Sequence, residues 1–304
     1  MAERQEPTGL ISSLQHFSVG DGPGIRSTIF FQGCNLHCPW CHNPETISPQ
    51  PVLLFDPPRC TDCGLCVRAC PSGAQMLRAG RHVFARDLCI SCGACTAACP
   101  ADALRLSGRA MTVGEVLAFI EEDRDFYAAS GGGVTLSGGE PLLQASFCAS
   151  LAAACHRQGL PVILDTAGQV PFAAFEQVLP YVDRFYVDLK SGSETGYRDL
   201  CGGSLALVLQ NMARLVAAGQ AVTARIPVIP GTNDRASDWI QMRDVLQHTG
   251  VREVHLLPYH RLGAGKYDAI GKPYTLWPVM PPHKEHLRAL SAIFAPDFFV
   301  TIEG

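Results

Sequence analysis

Short apolar runs alternate with longer amphipathic ones along most of the chain. The runs Arg26–Phe31, Gly133–Leu136, Pro161–Leu164, Arg184–Val187, Ala221–Ile226 and Glu253–Leu257 read as strands. Helical periodicity fills the spaces between them: Val113–Tyr127, Leu142–Gln158, Phe172–Leu179, Leu205–Ala218 and Ala236–Thr249. Strand and helix in alternation imply parallel strands joined by right-handed crossovers. Six strands with no dinucleotide fingerprint favour an α/β fold of partial (β/α)6, TIM-like barrel type over an open doubly wound sheet. In a barrel the chemistry sits at the C-terminal ends of the strands.

The alternation is interrupted once, by an internal repeat. CTDCGLCVRACPSGA begins at Cys60 and CISCGACTAACPADA begins at Cys89. Both read C-x2-C-G-x-C-x2-A-C-P-x2-A. The pattern predicts a compact module over residues 56–103, inserted into a barrel built from residues 1–55 and 104–304.

Composition narrows the class. Charged residues are 17% of the 304 and hydrophobic ones 47%. The charged share lies below the usual ~25%, so the chain is expected to form a core. Net charge is -4 with no basic block, which argues against a nucleic-acid partner. Neither a signal peptide nor a run long enough to span a bilayer is apparent, so a cytoplasmic, monomeric protein away from the membrane is expected. Of the 14 cysteines, most crowd between Cys34 and Cys99. C-x2-C spacings in a reducing compartment point to metal ligation rather than disulfides.

C-x2-C-x2-C-x3-C-P is the bacterial [4Fe–4S] run, and the fourth cysteine of each run ligates the other cluster. This assigns Cys60, Cys63, Cys66 and Cys99 to one cluster and Cys89, Cys92, Cys95 and Cys70 to the other. Two zinc sites of four cysteines each are the alternative. Both sets are closed, which suits electron transfer.

Cys34, Cys38 and Cys41 in FFQGCNLHCPWCHNPE differ: three thiolates leave one position open. An open coordination position marks chemistry rather than scaffolding, by the logic that separates catalytic from structural zinc. A zinc site completed by His37 or His42 is the other reading. C-x3-C-x2-C after a first strand resembles the radical S-adenosylmethionine (SAM) superfamily. The resemblance implies a [4Fe–4S] cluster whose fourth iron is chelated by SAM. One electron then cleaves SAM to methionine and a 5′-deoxyadenosyl radical.

Further polar motifs end the later strands. SGGEP (Ser137–Pro141), DTAG (Asp165–Gly168), DLK (Asp188–Lys190), RIPVIPG (Arg225–Gly231) and LLPYH (Leu256–His260) all fall there. With DGPGIR (Asp21–Arg26), these motifs are similar to the glycyl radical enzyme activating family, in its longer subgroup with a two-cluster ferredoxin-like insert. The similarity implies SAM contacts from Trp40, His42, Gly138, Gly139, Glu140, Asp188, Leu189, Lys190 and His260, and Arg225, like Lys190, stands at a strand end where it would meet a carboxylate. It implies a carboxylate at Asp165 beside a monovalent cation, and a loop at Asp21, Gly22 and Gly24 that meets the partner's peptide. Ala167 stands where a polar residue is common, so no side-chain contact is expected from it. The implied cofactors are SAM and three [4Fe–4S] clusters. The implied reaction removes a hydrogen from one glycine of a partner enzyme, with the electron supplied by reduced flavodoxin or ferredoxin. A radical SAM enzyme acting on a small molecule and a plain ferredoxin-type carrier are the competing readings. Cys148, Cys155 and Cys201 have no ligand spacing and read as structural.

Replacing Cys34, Cys38 or Cys41 by Ser is expected to reduce 5′-deoxyadenosine formation from SAM to background. Chromatography of the reduced protein incubated with SAM checks this; wild-type rates in any of the three would remove that cysteine from the ligand set.

Overall fold

The computed structural model describes residues 6–303; residues 1–5 and 304 of the expected barrel lie outside them. The chain opens with β1 (Thr8–Ser18) and β2 (Arg26–Phe31), then β3 (Val52–Phe55). The inserted stretch holds α1 (Leu65–Ala69), β4 (Gln75–Arg78), β5 (Arg81–Phe84) and α2 (Ala94–Ala97). The chain returns through β6 (Leu104–Ser107) and β7 (Arg109–Thr112), then α3 (Val113–Glu121) and α4 (Arg124–Ser130). The alternating part follows: β8 (Gly133–Gly138), α5 (Ala145–Arg157), β9 (Val162–Thr166), α6 (Phe172–Glu176), β10 (Arg184–Asp188), α7 (Glu194–Cys201), α8 (Leu205–Ala217), β11 (Val222–Val228), α9 (Ala236–Gln247) and β12 (Glu253–Pro258). Helices α10 (Ala264–Ala269) and α11 (Lys284–Phe294) precede β13 (Phe299–Ile302).

Among the described residues the main sheet has nine strands in the order β13-β12-β11-β10-β9-β8-β2-β1-β7. From β2 to β13 every pair is parallel, while β1 and β7 add antiparallel strands at one edge. All six expected strands are present. β13 adds a parallel strand that the pattern did not predict. The expected helix Val113–Tyr127 is broken after Glu121, because the Asp123 carboxylate turns inward to accept hydrogen bonds from Ser27 Oγ at 2.7 Å and to meet His16 Nδ1 at 2.7 Å.

The parallel strands have two different faces. One set of alternate residues, including Ile29, Leu136, Leu164, Phe185, Val187, Ala224 and Val254, packs under the helices in the main core. The other set is largely polar: Thr28, Thr135, Asp165, Tyr186, Asp188, Thr223, Arg225, Glu253 and His255 lie in register across neighbouring strands. A period of two along each strand produces this division. At the N-terminal end Arg26 is 2% exposed, and it donates to Thr135 Oγ1 at 2.6 Å and to the carbonyls of Val134 (2.6 Å) and Pro161 (3.1 Å). Burial lowers its pKa to about 10.

Residues 56–103 leave and return through β3 and β6, which pair antiparallel from Val52↔Ser107 to Phe55↔Leu104. Among the described residues no single helix is long and apolar enough to cross a membrane.

Arg26→Leu is expected to destabilise the fold by about 2–4 kcal/mol, because carbonyls at the N-terminal end of the sheet lose their donor. Urea denaturation measures it, and Arg26→Lys should recover little because an ammonium lacks the guanidinium fork.

Candidate active site at the strand ends

The loop after β2 is fixed before it carries any cysteine. Gln32 is 2% exposed, and its Nε2 donates to the carbonyls of Glu45 (2.8 Å), Ser48 (2.9 Å) and Gln50 (3.2 Å). Asn35 Nδ2 donates to the Gln169 carbonyl at 2.6 Å, and the His37 N–H to the Cys201 carbonyl at 2.9 Å. Cys34, Cys38 and Cys41 therefore share one anchored loop, each partly exposed. Burial pushes the Cys34 thiol up to about 11 and the Cys41 thiol up to about 12. Cys38 is lowered to about 7, first by a hydrogen bond with Cys201. Iron binding at such thiols must release protons. The donor set fits a cluster held by three thiolates. Cys201, which has no ligand spacing in sequence, is fully buried behind this loop against Cys38.

Gly138 and Gly139 join this loop through the backbone. Gly139 N–H donates to Phe31 O at 2.9 Å and Glu140 N–H to Gly33 O at 2.7 Å. A Cβ on Gly139 would lie 2.1 Å from the Gly33 carbonyl oxygen, so only glycine permits this approach. The Glu140 side chain does not face the opening. It is fully buried and accepts from Thr166 Oγ1 (2.8 Å), Leu142 N (3.0 Å) and Ala167 N (2.9 Å). Burial raises its pKa to about 7.

Charged groups occupy the inner ends of β9 to β13. Arg225 meets Asp165 at 3.4 Å and donates to Glu303 Oε2 at 2.7 Å, while His255 Nδ1 meets Glu303 Oε1 at 2.5 Å. Burial lifts Asp165 to about 6 against the opposing pull of Arg225. Arg225, expected to face a cofactor, thus already has two protein carboxylates. Asp165, expected beside a monovalent cation, has the guanidinium as its counter-charge. Lys190 Nζ donates to Asp188 Oδ2 at 2.6 Å. Burial opposes the Lys190 charge, yet Asp188 and then Cys38 outweigh it and hold the lysine protonated. Leu189 sends its side chain into the outer core, leaving its backbone at the rim.

Trp40 is buried with Leu36, Ala167, Cys201, Ile229 and Tyr259 beneath the cysteine loop. His42 stacks on His260 with ring centroids 4.1 Å apart. Burial, then the neighbouring imidazole, lowers His42 to about 4, so the pair is neutral at physiological pH. A clasp that the motifs did not reveal lies next to it. Lys266 Nζ on α10 reaches Glu45 Oε1 at 2.6 Å and Asn43 Oδ1 at 2.7 Å. Its sequence signal was the Glu that ends HNPE. The structure brings Asp21 against the polar face of the sheet as well: its carboxylate accepts from Thr28 Oγ1 at 2.6 Å. Gly22 (φ +133°) and Gly24 (φ +69°) turn that loop under the sheet.

Residues 56–103 and their flanks line two cavities. One is lined by Cys60, Cys63, Cys66 and Cys99. The other is lined by Cys70, Cys89, Cys92 and Cys95. Among the described residues no three ligating side chains converge as they would on a single metal ion.

A family model of the radical SAM superfamily matches residues 28–242. The chain belongs to the radical SAM superfamily. Within it, curated relatives are activating enzymes. That of trans-4-hydroxy-L-proline dehydratase from Clostridioides difficile is 38% identical, covering 97% of this chain and 99% of the relative. That of benzylsuccinate synthase from Thauera aromatica is 42% identical, covering 86% and 82%. That of choline trimethylamine-lyase from Oleidesulfovibrio alaskensis is 38% identical, covering 89% and 90%. In fold, this radical SAM protein is similar to a radical SAM methyltransferase from Sphaerobacter thermophilus, with a TM-score of 0.57 at 14% identity over 96% of this chain and 76% of that one.

Lys266→Met leaves the Glu45 carboxylate, 7% exposed, without its cation. The expected loss is about 2–4 kcal/mol in anaerobic urea denaturation. The double variant Glu45→Gln/Lys266→Met should recover part of it.

Proposed function

We propose that this chain activates a partner glycyl radical enzyme, with SAM and a [4Fe–4S] cluster supplying the radical that removes one glycine hydrogen from the partner. The observation that carries the reading is 38% identity to an activating enzyme over nearly the whole length of both chains, joined to a three-cysteine loop at the strand ends.

The chain's own residues position and exclude. Cys34, Cys38 and Cys41 would hold three irons and leave one open. The Gly138–Gly139 backbone, the neutral His42–His260 pair and the Asp188–Lys190 pair line the approach to that position. Trp40 and Ala167 give it a dry floor, in which the fields of Lys190 and Asp188 act more strongly than in water. Asp165 and Arg225 form a fixed, nearly cancelled charge pair at the centre of the inner face. The loop Asp21–Gly24 is the proposed contact for the partner's glycine-bearing peptide.

The fit of the insert supports two further [4Fe–4S] clusters, held by Cys60/Cys63/Cys66/Cys99 and by Cys89/Cys92/Cys95/Cys70. Each cavity collects four cysteines in the spacing of the bacterial [4Fe–4S] run. Their tie to the barrel supports an electron relay. Arg86, three residues before Cys89, donates to the Ala269 carbonyl of α10 at 2.7 Å, and α10 carries Lys266. Reduced flavodoxin or ferredoxin is the proposed donor, to a cytoplasmic monomer.

Incubating the reduced protein with SAM and a glycyl radical enzyme from a panel of candidates is expected to give a glycine-centred radical in electron paramagnetic resonance. SAM cleavage with no such radical across the panel would favour a small-molecule substrate. Asp21→Ala is expected to lower partner activation about tenfold, the ~1.4 kcal/mol scale of one hydrogen-bonded charge, while SAM cleavage without partner stays near wild type.

A further inference from the structure

The repeat makes the two cysteine cavities comparable position by position. Asp62 and Ser91 follow the first cysteine of their runs at the same spacing, with φ of 56° and 52°. Their N–H groups point at Cys60 Sγ and Cys89 Sγ at 3.5 and 3.4 Å. The backbone donors are therefore matched, and the difference between the cavities lies in side chains.

Four equivalent positions differ. Thr61 lines the first cavity where Ile90 lines the second. At the other three, the Cys60/Cys63/Cys66/Cys99 cavity is lined by Asp62, Ala101 and Leu104. The corresponding lining of the Cys70/Cys89/Cys92/Cys95 cavity is Ser91, Ser72 and Gln75. Asp62 Oδ1 lies 3.8 Å from Cys60 Sγ. On an iron-bound thiolate, which has no proton to share, it places one negative charge against another. Its counter-ion Arg81 is 83% exposed and screened by water. In the other cavity, Ser72 Oγ lies 3.6 Å from Cys70 Sγ, and Gln75 Nε2 lies 3.6 Å from Cys95 Sγ. Gln75 is 2% exposed, and its Oε1 meets His82 Nε2 at 2.7 Å. A thiolate only accepts, so the amide nitrogen must face Cys95 and the amide oxygen must face His82. The imidazole thus aims the amide.

Reduction adds one negative charge to a cluster. Donors to its sulfurs favour that charge, while a nearby carboxylate and apolar lining oppose it. These three differences act in the same direction, and Thr61 against Ile90 is the one that opposes them. We infer that the insert's clusters have unequal reduction potentials, with the Cys70/Cys89/Cys92/Cys95 cluster reduced first and Gln75 and Asp62 the residues that set the gap. This rests on the reading that both cavities hold [4Fe–4S] clusters.

The test is a potentiometric titration of the reconstituted full chain, followed by electron paramagnetic resonance. The three-cysteine cluster is set apart as the signal that changes when SAM is added. Iron analysis comes first. About twelve irons per chain support the underlying reading, and about four would remove both that reading and this inference. With twelve, wild type is expected to show two separate steps from the insert. Gln75→Leu installs the sister cavity's residue and should move the higher step to more negative potential, leaving the lower one in place. Asp62→Ser should move the lower step up. Coincident steps in wild type, or both steps unmoved in Asp62→Ser at full iron content, would overturn the inference even if Gln75→Leu failed to assemble.

Discussion

Everything in this molecule depends on strands that keep oil on one face and charge on the other. The helices cover one face and supply the main apolar core. The opposite face carries Asp165, Asp188, Arg225, Glu253 and His255 in register. Burying charge is costly unless each group has a partner, and here they do: Arg225 with Asp165 and Glu303, Arg184 with Glu253, Lys190 with Asp188. The strand ends thus present fixed, paired charges around the cysteine loop, and the ground is prepared before any cofactor arrives.

The core strands were legible because their apolar runs are short, dense and separated by helical periodicity. β1 was not: TGLISSLQHFS carries many polar residues and is a strand because β2 and β7 flank it. β13 was missed for a related reason, since its exposed FVTI run becomes a strand only by pairing with β12. Its neighbour Glu303 holds both Arg225 and His255, and nothing local announces that role.

The site showed the same division. Cysteine spacing is a one-dimensional signal, and the two four-cysteine sets it suggested line two cavities. Side-chain direction is three-dimensional. Glu140 sits in a motif that suggests ligand contact, yet its carboxylate turns under the rim to Thr166 and Ala167. Cys201 and Lys266 are distant from the cysteine loop in sequence and adjacent to it in space.

The crossed lining of the two cavities couples the two halves of the repeat. Each half contributes three cysteines to its own cavity and one to its sister's. Neither half supplies all four cysteines of a cavity alone. The two halves must therefore fold together, and a change in either one reaches both cavities.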